Sequence, residues 1–253
     1  MRFAMRAYGI PSLVYFLLLE AMLAAAILFW PEFQKNAGML KAMAPISMLK
    51  DMVDSLAQGG IEAYVVGQHF FKGCNTLGTA AGVLFAAGAV AGEVQRGTLE
   101  LWLARPFTRR RLLLTRWLCG ALALCLPIFV STATVPWLLT FVDAEASTYA
   151  LMLAATHQCV FLLATYSLTF LCSTLFDSPM GIALSVLFFT TLEFSIYLVK
   201  VATHWSLFRL ADIGVFMDIM SKETLRADMV LPLVGISLAC LAASLAAFSR
   251  KVP

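Results

Sequence analysis

Residues 92–116 of this chain read GEVQRGTLELWLARPFTRRRLLLTR. The stretch is the most strongly charged part of the sequence, and a long apolar run lies on each side of it. Runs of about 20 apolar residues are typical of transmembrane helices. The pattern therefore predicts two membrane spans joined by a short charged segment at the membrane surface. Residues 93–111 of this segment are called the connector below.

The composition of the whole chain is that of a membrane protein. Of the 253 residues, 61% are hydrophobic and 13% are charged, whereas a soluble domain carries roughly 25% charged residues. The net charge of +3 and the absence of basic runs interleaved with aromatic residues argue against nucleic-acid binding. The six cysteines form no C-x-x-C pair and lie mostly in apolar runs, as buried small hydrophobic side chains do.

We predict an all-α polytopic fold in a single transmembrane domain, residues 1–253. Six apolar runs are long enough to span a membrane. The first is too long for a signal peptide and has no small-residue cleavage pattern after it. Pro127 and Pro136 are natural places for a bend in the third run. The predicted spans are about 10–30, 73–92, 112–141, 148–172, 179–201 and 229–249.

The distribution of charge predicts that both termini are cytoplasmic. With that topology the inner side carries ten Lys/Arg and three acidic residues, and the outer side carries eight Lys/Arg and ten acidic residues. This asymmetry follows the positive-inside rule. Within the outer segments, residues 46–56 have apolar side chains at helical spacing, and residues 205–220 also alternate apolar and charged residues. Both patterns predict amphipathic helices at the outer surface, with ordinary packed loops as the alternative.

The connector has the signals of a short, stiff helix between two turns. Gly97 allows a sharp backbone turn, and Thr98 can cap a helix that begins after it. Glu100 lies in the first turn, where a negative charge is favoured by the helix dipole. Pro106 cannot continue the helix and ends it near Arg105. A short rigid helix of this kind can transmit a displacement from a soluble partner to two spans at once. The alternative interpretation is a plain positively charged loop, which does not require these residues in this order.

The connector resembles the signature of ABC type-two exporter permeases. The resemblance is carried by Glu93-x-x-x-Gly97-Thr98-Leu99-Glu100-x-x-Leu103-Ala104-Arg105-Pro106-x-x-Arg109. It implies an inner-membrane permease subunit whose coupling helix docks on a pair of ABC ATPase subunits and which pairs with a second permease copy or a related permease in the lipid bilayer. The coupling contact would involve Glu93, Gly97, Thr98, Leu99, Glu100, Trp102, Arg105 and Pro106.

The resemblance also implies that ATP and Mg²⁺ bind to the partner ATPase and that this chain holds no cofactor. A Walker A motif needs G-x-x-x-x-G-K-[S/T], and the nearest pattern, residues 73–80, lacks the lysine. Two departures from the family pattern are visible. Arg116 stands where the family usually has lysine, and only nine residues precede the first predicted span, where the family usually has a longer amphipathic helix.

A second group of candidate residues lies in the predicted spans. Glu20, His157 and Glu193 fall within them, and Lys200 lies at the outer end of the fifth. A charged side chain at mid-bilayer costs about 2.5–3.5 kcal/mol on insertion scales, so such groups face the interior of a helix bundle. They can line a path for a cationic or amphipathic substrate, or they can form a buried structural network between helices.

Two other functions compete with that of an exporter permease. A non-transporting membrane subunit in signalling or assembly would use the same connector with the same ATPase. An intramembrane enzyme is the less favoured alternative, because the sequence has no H-E-x-x-H motif and no plausible pairing of a nucleophile with a base in facing spans.

Overall fold

The structure, a computed structural model, describes residues 2–45, 47–103, 108–199 and 201–250. Every regular element in these residues is helical, which confirms the all-α prediction. Short 3₁₀ turns cover Thr140–Val142, Thr203–Trp205 and Leu207–Ala211. The other elements are α1 (Arg2–Met43), α2 (Ser47–Gln58), α3 (Gly60–Val65), the π-helix π1 (Val66–Gly78), α4 (Thr79–Ala87), α5 (Ala91–Gln95), α6 (Leu99–Leu103), α7 (Arg109–Leu139), α8 (Thr148–Leu175), α9 (Pro179–Tyr197), α10 (Ile213–Lys222) and α11 (Ala227–Arg250).

Five helical stretches in the described residues are long and apolar enough to cross a membrane: Ala7–Met43, Arg109–Val142, Thr148–Leu175, Pro179–Tyr197 and Ala227–Arg250. Their outer faces carry large apolar side chains that are mostly exposed, such as Phe188 on α9 and Leu231 on α11. In water such surfaces would be unfavourable, but in a bilayer they contact lipid. The chain is therefore a polytopic membrane protein.

The first helix does not end near residue 30, where the first predicted span ends, but continues through Pro31 to Met43. Proline in a helix interior removes one backbone hydrogen bond, so other contacts must hold the helix together there. The Trp30 ring lies 4.8 Å from the Tyr64 ring, and the Phe33 ring lies at the same distance from Tyr64. Aromatic contacts on both sides of Pro31 thus stabilise the helix through the position where the sequence predicted a break.

The second predicted span, 73–92, is not one regular helix. It begins within π1, continues as α4 and reaches a break at residues 88–90 before α5. π-helical turns are uncommon and often occur at functional sites. Here the helices pack very closely: a Cβ added at Gly78 would lie 2.6 Å from Leu162 Cδ1 on α8 and 2.9 Å from the Tyr15 hydroxyl on α1.

The proline positions in α7 do not interrupt it, since the helix runs from Arg109 to Leu139 through Pro127 and Pro136. The remaining helices lie close to the predicted limits, except that α9 ends at Tyr197 rather than near residue 201. Helix α8 is the centre of the bundle. It packs against α4, α7 and α11, and its Tyr166 and Phe170 side chains are fully buried.

The two predicted amphipathic helices are present as α2 and α10. On α2, Leu56 is buried, while Asp54 forms an ion pair with Lys41 of α1 at 2.6 Å. On α10, Phe216 and Ile219 are fully buried, and the 3₁₀ turns at 203–211 occupy the first part of the stretch predicted to be helical. Both helices are packed against the bundle through one apolar face.

Candidate functional site

The site begins where the second predicted span breaks, after α4. Helix α4 ends at Ala87, and the chain turns before α5 begins at Ala91. The Ser173 side chain of α8 is fully buried beside this break. Its hydroxyl donates to the carbonyl oxygen of Ala87 (2.8 Å) and accepts hydrogen bonds from the backbone nitrogens of Val90 and Ala91 (3.0 Å each). Buried backbone groups must find partners, and one serine hydroxyl satisfies three of them here.

Glu93 on α5 is the centre of the connector's polar contacts. Its Oε1 atom accepts hydrogen bonds from Arg116 Nη2 at 2.6 Å and from Arg96 Nη2 at 3.2 Å. The Thr98 hydroxyl contacts the other carboxylate oxygen, Oε2. Glu93 and Arg116 are both buried, whereas the Arg96 side chain is largely exposed. The carboxylate therefore joins α5, the turn after it and a position about two helical turns into α7 through charge-assisted hydrogen bonds.

The turn between α5 and α6 has the geometry predicted from its glycine. Gly97 has φ +67°, which is in the left-handed region that glycine adopts without strain. The backbone nitrogen of Thr98 donates to the Glu93 carbonyl oxygen at 3.0 Å, which closes the turn. The predicted capping of α6 by Thr98 remains a prediction. What the structure shows is that the Thr98 hydroxyl contacts the Glu93 carboxylate.

Helix α6, Leu99–Leu103, occupies the position of the predicted coupling helix. Leu99 is buried and anchors this short helix, whereas Glu100 and Leu101 are exposed. The exposed face of this short helix thus carries an apolar and an acidic side chain next to each other. Arg105, Pro106 and the side chain of Trp102 lie outside what the structure describes, so their predicted part in the contact stays a prediction.

The connector lies at the same end of the bundle as the start of α1 and the end of α11. Thr108 caps α7 by accepting a hydrogen bond from the Arg111 backbone nitrogen at 3.3 Å. Arg109 Nη1 donates to the carbonyl oxygen of Ser249, near the end of α11, where a cation is favoured by the helix dipole. On the other side, the Tyr8 hydroxyl of α1 donates to the Phe85 carbonyl oxygen at 3.4 Å. Both ends of the described chain are therefore on the connector's side of the bundle.

These contacts form a continuous mechanical link from α6 to the bundle. A displacement of α6 acts on Gly97 and Thr98, then on Glu93, and through Glu93 on Arg116 of α7. The Ser173 hydroxyl holds the start of α5 against α8. Because these groups are hydrogen-bonded and most of them are buried, they hold α5 tightly against α7 and α8. The arrangement can transmit force from α6 to the bundle.

The candidate residues of the predicted spans do not form one cluster. Thr134 donates to Glu20 Oε1 at 2.7 Å, and Glu20 Oε2 is buried without a hydrogen-bond partner. Glu193 Oε2 accepts from the Leu207 backbone nitrogen at 3.0 Å, and its carbonyl oxygen accepts from Ser206. No hydrogen bond or ion pair in the described part of the chain joins Glu20 to Glu193. Lys200 lies outside the described residues.

His157 is fully buried, and its Nε2 lies 2.7 Å from the Leu210 carbonyl oxygen. A carbonyl oxygen only accepts, so Nε2 carries the proton, and Nδ1 is left as a buried acceptor without a partner. Glu193 and His157 thus both hold backbone groups of residues 206–211. These contacts suit the structural alternative raised for the two residues, and a role in a substrate path remains a prediction.

Sequence reasoning did not identify the polar pairs inside the bundle. Gln158 Nε2 donates to Asn75 Oδ1 at 2.8 Å, and His69 Nε2 contacts the Thr132 hydroxyl at 3.0 Å. Asn75 and His69 lie in π1, and each of these four side chains is buried. For Asn75, Thr132 and Gln158 the available signal was a polar residue within an apolar span, because such residues need partners in a membrane. The identity of each partner could not be read from that signal.

Comparison with known proteins gives a family. A family model described as "ABC-2 family transporter protein" matches residues 9–251, which is nearly the whole chain. No curated protein matches the chain. The match covers every one of the five long apolar helices together with the connector, apart from the first two residues of the first of them.

Proposed function

The chain belongs to the ABC-2 family of transporter proteins, and from that premise we propose that it is the permease subunit of an ATP-driven exporter of the inner membrane. The observation that carries the proposal is the Glu93 network, which connects an exposed short helix to the buried surfaces of α7. A membrane subunit driven from outside the bilayer needs such a link. The resemblance of the connector to exporter permeases supports transport outward.

The proposed coupling works through α6. An ABC ATPase subunit binds the exposed face of α6 at Glu100 and Leu101, with Trp102, Arg105 and Pro106 in the same contact. Closure of the ATPase on ATP and Mg²⁺ displaces α6, and the Glu93 network passes this displacement to α5 and α7. Because Arg116 is two helical turns inside α7, the force enters the bundle below the membrane surface rather than at its edge.

The proposed assembly contains a pair of ATPase subunits and a second permease, either another copy of this chain or a related one. Nucleotide and Mg²⁺ belong to the ATPase in this assembly. The connector and both chain termini face the cytoplasm, a topology supported by the excess of Lys/Arg on that side. Outward-facing segments then include α2 and α10.

The coupling role is tested with charge-reversal variants of two exposed acids. The chain is co-expressed with its cognate ATPase and purified, and the amount of ATPase retained and its stimulation are measured for Glu100→Lys. Glu145→Lys is the matched control, because Glu145 is also exposed but lies in the 143–147 loop at the other end of α7. We expect at least a tenfold loss of retained ATPase for Glu100→Lys, from one lost charge-assisted contact and one repulsive charge, and no loss for the control.

Equal retention and stimulation of the ATPase by both variants would contradict the docking role. Transport is measured separately, with the complex of the chain and its ATPase in sealed vesicles and with lipids, peptides and drugs as test substrates. If the chain stimulates the ATPase but none of these test substrates crosses the membrane, the non-transporting subunit is favoured over the exporter.

A further inference from the structure

A long groove lies between α1 and the second predicted span. Its volume is about 650 Å³, which is within the range of ligand-binding pockets. Residues 7–18 of α1 form one wall and residues 77–88 form the other. The lining is apolar along almost its whole length, and the side chains at its rim, such as Ile10 and Leu84, are largely exposed. The groove therefore opens on the surface of the bundle that faces lipid.

The length of the groove matches one leaflet of a bilayer. Each wall is eleven helical steps long, which at 1.5 Å per residue is about 16 Å. The hydrocarbon core of a bilayer is about 30 Å thick, so one leaflet contributes about 15 Å. A groove of this length and orientation can hold a single extended hydrocarbon chain from the headgroup region to the middle of the membrane.

One end of the groove carries positive charge. Arg96 and Arg116 line that end, and both guanidinium groups contact the same carboxylate, Glu93. Two cations and one anion leave a net charge of +1 at the groove mouth. The Arg96 side chain is 65% exposed, so its guanidinium can contact another anion while it remains near Glu93.

We propose that this groove binds an anionic phospholipid, with one acyl chain between α1 and α4 and the phosphate at Arg96. The apolar length accounts for the acyl chain, and the net positive mouth accounts for the phosphate. Guanidinium groups bind phosphate with charge-assisted hydrogen bonds, and Arg is the side chain best suited to this contact. The bound lipid would lie directly beside the Glu93 network. The proposal rests on the membrane location of the chain and not on the ATPase contact.

The test measures lipid retention by the purified full-length chain. The delipidated protein in detergent is titrated with phosphatidylglycerol or with phosphatidylcholine, and bound lipid is counted by native mass spectrometry. We expect phosphatidylglycerol to bind at least tenfold more tightly than phosphatidylcholine. Arg96→Gln should lower the phosphatidylglycerol affinity about tenfold, and Arg110→Gln, which removes an exposed charge outside the groove, should leave it within twofold.

A second pair of variants tests the apolar part of the site. Ala80 lines the groove, so Ala80→Phe should block the acyl chain and abolish phosphatidylglycerol retention. Ala133→Phe adds the same side chain at an exposed position of α7 that does not line the groove, and it should retain the lipid. Unchanged far-UV circular dichroism and a single elution peak are required of both variants. This requirement separates a blocked groove from a misfolded protein.

Four results would overturn the proposal. Equal affinity for the two lipids, or equal losses from Arg96→Gln and Arg110→Gln, would show that the mouth does not recognise the phosphate. Competition by inorganic phosphate alone, with no effect of Ala80→Phe, would indicate a free-anion site without an acyl chain. A lower oligomeric mass for Ala80→Phe, with lipid retention unchanged, would show that a second copy covers the groove.

Discussion

The buried ion pair between Glu93 and Arg116 should be one of the most sensitive points of the molecule. Their N–O distance is 2.6 Å, and the two side chains are only 8% and 7% exposed. Removing one partner of a buried pair leaves an uncompensated charge and costs about 3–5 kcal/mol. Glu93→Gln should therefore destabilise the chain by about 3 kcal/mol or more, which is a change of about 100-fold in the unfolding equilibrium constant.

Substitution of Arg116 should destabilise the chain less than substitution of Glu93. In Arg116→Met, Glu93 keeps Arg96 at 3.2 Å and the Thr98 hydroxyl, so a smaller loss of about 2 kcal/mol is expected. In the double variant Glu93→Gln/Arg116→Met no buried charge is left unpaired, and most of the stability should return. The double-mutant cycle should thus give a coupling energy of about 2 kcal/mol or more.

The assay is reversible unfolding of the purified chain in mixed micelles with increasing dodecyl sulfate, followed by tryptophan fluorescence. The matched control is the same cycle on Glu32 and Lys35, an exposed pair on α1 with a comparable distance of 2.9 Å. An exposed pair should give a coupling energy of about 0–1 kcal/mol. If the two cycles give the same small coupling energy, burial of the Glu93 pair has been misjudged, and the connector is not rigidly joined to α7.

Two further predictions concern the backbone around the connector. Ser173→Ala removes the hydroxyl that binds three buried backbone groups and should cost about 1–3 kcal/mol of unfolding free energy, whereas Ser195→Ala, which removes an exposed hydroxyl bonded to its own helix, should change it by less than about 0.5 kcal/mol. Similar values for the two serines would mean that the break after α4 does not depend on Ser173. Gly97→Ala should cost about 1 kcal/mol, because its φ of +67° is unfavourable for a residue with a Cβ. Gly38→Ala should instead stabilise the chain by about 0.5–1 kcal/mol, because Gly38 lies inside α1 with open space around it. Both glycine variants are measured by thermal unfolding in detergent. A change of the same sign in the unfolding free energy of both variants would refute the assignment of the turn at Gly97.

The long helices could be predicted from local sequence, because the signal for a membrane span is a continuous apolar run. Helices α7, α8 and α11 lie close to the predicted limits, and the connector helix begins directly after the predicted turn at Gly97. Local rules were less successful where packing opposes them. The first predicted span ends near residue 30, just before Pro31, but aromatic contacts with Tyr64 keep α1 helical beyond it.

The candidate site shows the same division. Some residues of the connector could be assigned a local property, such as Gly97 as a turn residue and Glu100 as a charge in the first turn of a helix. The partner of Glu93 could not be assigned, because Arg116 lies 23 residues away and several other arginines are nearer in sequence. Ser173 gave no signal at all, since a serine in an apolar span is common and its three backbone partners lie more than 80 residues away.

From its residues alone, this chain could be identified as a set of membrane helices with a stiff charged connection between the second and third spans, because helix formation and membrane insertion depend on runs of neighbouring residues. The pairing of Glu93 with Arg116, the serine that holds the helix break and the groove beside α1 follow from the way distant helices pack. Such contacts depend on which helix faces lie opposite each other, and a single sequence does not contain that information in any local pattern.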